Sequence, residues 1–119
     1  MSEKRYYIVQ RNKHIMAFAI FASRDYVPAD VKVWAVCADK VDATELRIYM
    51  REALKDACKA YRRWSGALSR LCGVRAAPAF AAYHRSSIAK LKAQEPNIDK
   101  LLAAYIASDP RAIKQEVLA

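Results

Sequence analysis

An α+β domain, with a three-stranded antiparallel sheet followed by helices, is the fold that these 119 residues predict. Three observations carry that expectation. Aromatic and β-branched residues cluster before residue 38, as strands require. Apolar residues then recur every three or four positions from Leu46 to Leu71, the repeat of one helix face. Only two glycines occur, Gly66 and Gly73, which favours long helices over a loop-rich fold.

The elements follow in order. Residues 4–10 (KRYYIVQ) read as the first strand, and Arg11-Asn12-Lys13-His14 as a hairpin turn without the Asn-Gly signature. In residues 15–22, Met16, Phe18 and Ile20 alternate with Ala17 and Ala19, which suits a strand covered on both faces; a short Ala- and Met-rich helix is the competing reading. Ser23 to Asp30 holds Asp25, Pro28 and Asp30 and reads as a loop, and residues 31–37 form a third strand. Sequential strands usually pair, so the expected sheet is a meander in the order 1-2-3.

Asp42, with Glu45 three positions later, marks a capping box for a long helix. Leu46, Met50, Leu54, Ala57, Tyr61, Trp64, Leu68 and Leu71 then share one face, and Gly73 supplies the stop. At 1.5 Å per residue such a helix measures roughly 45 Å, wider than a small domain, so Ser65-Gly66 marks a candidate bend. Pro78 opens a second helix to Ala93, Asn97 caps a third over Ile98–Ala107, and Ser108-Asp109-Pro110 caps a last one over 110–118. No linker divides the chain: residues 1–119 read as one domain, the sheet over about 4–37 and the helical part over about 43–118.

At 55% hydrophobic, the chain has ample material for a core and is not disordered. The start, Met-Ser-Glu-Lys-Arg-Tyr-Tyr, carries no secretory signature, and the apolar run Ile15–Ala22 is too short for a membrane span. Cys37, Cys58 and Cys72 are odd in number and widely spaced, which fits reduced, buried thiols in a cytoplasmic protein.

The net charge is +9, and its location is informative. No Asp or Glu occurs between Asp56 and Glu95, while Lys59, Arg62, Arg63, Arg70, Arg75, Arg85, Lys90 and Lys92 do. On the long helix, Arg47, Arg51, Lys55, Lys59, Arg62, Arg63 and Arg70 spread over about 0–160°, opposite the apolar face centred near 290°. Glu45, Glu52 and Asp56 dilute the first half of that face; from Lys59 onward no acid offsets it. An uncompensated cationic surface attracts phosphates, and the arginine fork suits them geometrically. The candidate anion-binding residues are therefore Lys59, Arg62, Arg63, Arg70, Arg75 and Arg85. The plainer reading is the solvated side of an amphipathic helix.

Aromatics accompany these cations: Tyr61, Trp64, Phe80 and Tyr83. Tyr61 and Trp64 lie on the apolar face and are expected to pack in the core rather than stack on bases. A helix-turn-helix reading of the last two helices lacks the turn glycine and offers only Arg111 and Lys114 as readers, so a terminal helix closing the core is the better account. His14 and His84 without a paired-cysteine motif do not make a metal site, and His84 is expected to be a hydrogen-bonded core or boundary residue. Neither a Gly-x-Ser-x-Gly nor a phosphate-binding glycine loop is present, and no cofactor is implied.

These residues lead to a small, non-enzymatic, basic protein that binds nucleic acid mainly through phosphates. The alternative is an interaction module (an inhibitor, adaptor or assembly subunit) that docks the same basic face on an acidic partner protein. Pairing of the long helix with a second copy, giving a homodimer, is a variant of it. Binding to a membrane surface is disfavoured, because the sheet needs the helix's apolar face.

Overall fold

A computed structural model describes residues 4–12 and 14–114. Three strands, β1 (Tyr6–Asn12), β2 (Ile15–Phe21) and β3 (Val33–Cys37), precede three helices, α1 (Lys40–Gly73), α2 (Ala81–Ala93) and α3 (Ile98–Ser108). The α+β class and the antiparallel sheet are as the sequence predicts. The strand order is not. It is β2-β1-β3, with β1 at the centre, instead of 1-2-3. Segment 22–32 is long enough to carry the chain past β1 to its other edge, where a tight hairpin would have kept β3 beside β2. The middle place suits β1, whose Ile8 and Val9 are almost wholly buried although they point to opposite faces.

Local chemistry shapes the sheet. Asn12 Oδ1 accepts from the backbone N–H groups of His14 and Ile15, at 2.8 and 2.9 Å, and so closes the β1–β2 hairpin. Lys13, also assigned to that turn from sequence, lies outside the described residues. On the other side, Ile8 pairs with Ala35 and Val9 with Val33, which leaves Trp34 as the extra residue of a bulge. Trp34 meets Phe18 edge-on at 6.5 Å, and its indole N–H donates to Gln10 Oε1 at 3.3 Å.

Ile8, Phe18, Trp34, Ala35 and Cys37 of the sheet form the core with Ala43, Leu46 and Met50 of α1 and Leu102 and Ile106 of α3. Leu46, Met50 and Leu102 are fully buried, each contributing about 1.5–3 kcal/mol of burial free energy. The cap of α1 sits one turn earlier than the capping box implied. Asp39 accepts from the Asp42 N–H at 2.8 Å, and Asp42 falls inside the first turn. Asn97 caps α3 as expected, its Oδ1 accepting from the Lys100 N–H at 3.0 Å.

The expected last helix over 110–118 does not form in its described part, 110–114. Asp109 ends α3 and is buried. It accepts from the Tyr105 hydroxyl (3.1 Å), the Arg111 guanidinium (3.0 Å) and the Arg111 backbone N–H (2.9 Å). Arg111 also reaches Glu45 on α1 at 3.1 Å and lies over the Tyr49 ring. The chain then runs along the edge of β3, where the Ile113 N–H donates to the Val36 carbonyl at 2.7 Å. Tertiary hydrogen bonds thus take the groups a helix would have used. Residues 115–118 of that expected helix lie outside the described residues.

The most consequential departure is in shape. α1 passes through Ser65-Gly66 without a break. Its first half covers the sheet; its second half leaves the sheet and carries α2 beside it. The molecule measures 72 × 26 × 24 Å. Its radius of gyration is 19.7 Å, against about 13.5 Å for a compact chain of this length. A packed head therefore bears a projecting two-helix arm.

Candidate nucleic-acid interface

The arm is built from the second half of α1, a turn over 74–77, the short 3₁₀ turn Pro78–Phe80 and α2. Two side chains tie its helices together. The Trp64 indole N–H donates to the Leu91 carbonyl at 2.6 Å. His84 Nε2 lies 2.8 Å from the Leu71 carbonyl oxygen, which can only accept, so Nε2 carries the proton. Leu68, Leu71, Ile88 and Leu91, on the facing sides of the two helices, are half-buried. Beyond Ala57, no residue of α1 or α2 is fully buried. The apolar face of α1 thus serves two partners: Leu46 and Met50 meet the sheet, whereas Trp64 and Leu71 meet α2. Tyr61 and Trp64 accordingly sit outside the main core. Trp64 is half-buried, and Tyr61, 37% exposed, lies against the Trp64 ring at 5.5 Å.

All six candidate residues lie on this arm. Lys59, Arg62, Arg63 and Arg70 are on α1, Arg75 is in the turn and Arg85 is on α2; all are exposed, as are Lys90 and Lys92. None of these eight is in an ion pair among the described residues. They do not share one flat face. In a right-handed helix stepping about 100° per residue, with Trp64 and Leu71 turned toward α2, Lys59, Arg63 and Arg70 fall along one edge of the hairpin. α2 runs antiparallel, which brings Tyr83 and Lys90 to that same edge and turns Arg85 and Lys92 to the other. Arg62 points away from α2. At the root of the second edge, Tyr61 borders a cleft with Glu95 and Asp99. Both edges lack carboxylates from residue 57 to residue 94; Asp56 stands at the root of the edge that bears Lys59, Arg63, Arg70, Tyr83 and Lys90.

Toward the head, the cations of α1 continue the row. Arg47, Arg51, Lys55, Lys59 and Arg63 recur every four residues, about 6 Å of rise per step. Arg47, Arg51 and Lys55 line a cleft of about 440 Å³ with Arg11 of β1 and with Met16, Phe18 and Leu54. Arg47 Nε is buried there without a hydrogen-bond partner, and Lys55 pairs with Glu52 at 3.3 Å. The four-residue spacing was the available signal for this end of the row, but the neighbouring acids masked it. Arg11 reaches the cleft through strand pairing and had no signal of its own.

The cysteines differ in setting. Cys37 is buried under the head, and desolvation, reinforced by the nearby carboxylates of Asp42, Asp109 and Asp39, pushes its thiol up from 9.0 to about 11. Cys58 is half-buried. Cys72, expected to be buried, is exposed near the end of the arm because α2 covers only one side of α1 there. His84 is a boundary residue with a hydrogen bond, as expected. No helix among the described residues is long and apolar enough to cross a membrane. Comparison with protein-family models, with characterised proteins and with solved structures gave no match, so the fold and the arm stand on their own geometry.

Proposed function

We propose that the protein binds nucleic acid, with the two-helix arm as its contact surface and phosphates as the principal groups it holds. The observation that carries this reading is the combination of projection and charge. The arm stands clear of the head, exposes eight cations and contains no carboxylate from residue 57 to residue 94. A solvated helix face needs no such purity of sign: the head exposes acids and bases together. Cations around most of the arm suit a ligand whose charge is distributed along a strand. Contacts of this kind give affinity with little choice of sequence.

Binding to a labelled mixed-sequence oligonucleotide, followed by anisotropy across a salt series, tests the reading. With five to eight phosphates engaged, log K falls against log salt with a slope between about −4 and −7. The Arg62→Glu/Arg63→Glu variant weakens binding more than tenfold and flattens that slope. Binding that ignores salt, or that survives the double reversal, overturns the proposal. So does a protein partner that stays bound to the arm after nuclease treatment while oligonucleotides do not bind.

A further inference from the structure

We infer that Phe80 and Tyr83 stack on unpaired bases, so that the arm's preferred ligand is single-stranded. This rests on the nucleic-acid reading above and narrows it. Both rings lie toward the far end of the arm, three residues apart, and are 64% and 75% exposed. Neither makes a ring–ring or ring–cation contact among the described residues. Tyr83 does not serve the seam, which Trp64, His84 and Leu91 occupy. Its edge carries no carboxylate between Asp56 and Glu95. A strand whose phosphates follow Lys59, Arg63 and Arg70 along α1 has Tyr83 and Lys90 beside it on α2.

An isolated exposed aromatic calls for no explanation. Two exposed rings within four residues, on a stretch without carboxylates that also exposes Arg75 and Lys90, offer a stacking platform inside a cationic surface. That pairing of features suits single strands: the cations hold the backbone, and the rings take bases of any sequence by their faces. A duplex keeps its base faces stacked and leaves the platform unused. A second copy of the chain is a poor occupant, because it would set Arg70, Arg75 and Arg85 against their own copies.

The test compares four forms of one 20-mer sequence: single-stranded RNA, single-stranded DNA and the matching RNA and DNA duplexes. Each is titrated with the wild type, Phe80→Ala/Tyr83→Ala and Arg62→Glu/Arg63→Glu. Circular dichroism checks that the variants keep their helices. The aromatic double variant is expected to lose about tenfold or more on both single strands, to stay within twofold on the duplexes, and to keep the wild-type salt slope. The charge-reversed variant loses affinity for all four. A loss on single-stranded RNA alone narrows the ligand to RNA and still supports stacking. Unchanged single-strand binding by the aromatic variant, or equal losses on duplex and single strand, overturns stacking while leaving the phosphate reading intact. Failure of the wild type to bind any of the four overturns both.

Discussion

Head and arm are made from the same helix, yet they are held by different means. In the head, α1 meets a sheet and α3, and Leu46 and Met50 are wholly enclosed. In the arm, α1 packs against α2, and the seam rests on half-buried leucines and two hydrogen bonds to backbone carbonyls. The head carries nearly balanced charge; the arm carries eight of the nine net positive charges. Unscreened like charge destabilises a compact element. It is tolerated where the element projects and water can solvate each cation. The stable half of the molecule is thus the one without a distinctive surface, and the distinctive surface sits on the half that folding holds least firmly.

The sharpest way to break this contrast is to empty each half in turn. Leu46→Ala in the head lowers the unfolding free energy by about 3 kcal/mol, read as a lower urea midpoint. Leu68→Ala in the arm lowers it by no more than about 1 kcal/mol, because the half-buried site has less to lose, and its effect appears as faster amide exchange over 60–91. Equal costs at the two sites would mean that the arm is as much a core as the head.

The contrast was only partly legible in the sequence. Periodicity marked β1, β2, β3, α1, α2 and α3 because each depends on local spacing. Strand order depends on where segment 22–32 travels, and no residue in it announces that path. The eight-residue apolar face of α1 was visible, but not that it changes partners between Ala57 and Trp64. Its length beyond a small domain was visible too; the bend suggested at Ser65-Gly66 is absent, and the excess length became the arm. Ser108-Asp109-Pro110 has the composition of a helix start, yet Tyr105 and Arg111 claim the Asp109 carboxylate first. The exposed cations of the arm were visible, since sign and spacing are properties of the chain. Their division between two edges was not, because that needs the position of α2.

Alkaline titration sharpens the comparison from the side of the head. The folded state holds the Cys37 proton more tightly than the unfolded state does. Its contribution is complete below pH 9.0 and is lost as pH rises toward about 11. Head stability therefore falls across that window, and Cys37→Ala removes this part of the fall. A thiol reagent at pH 8 labels exposed Cys72 first and half-buried Cys58 more slowly, and reaches Cys37 only when the head opens. Early labelling of Cys37 would show that the head opens more readily than its burial implies.

The smallest effect belongs to the arm. A methyl group at Gly66 meets nothing within 4 Å, and Gly66 has no positive φ. Gly66→Ala should therefore add about 0.5–1 kcal/mol of local helix stability, read as slower exchange in the arm with the urea midpoint little changed.

The unbroken course of α1 has one further consequence. A glycine-rich connector would let two parts of a protein sample many separations. A helix does not, for its rise per residue is set by its hydrogen bonds. The sheet and the tip of the arm are therefore held at one fixed separation within a molecule 72 Å long.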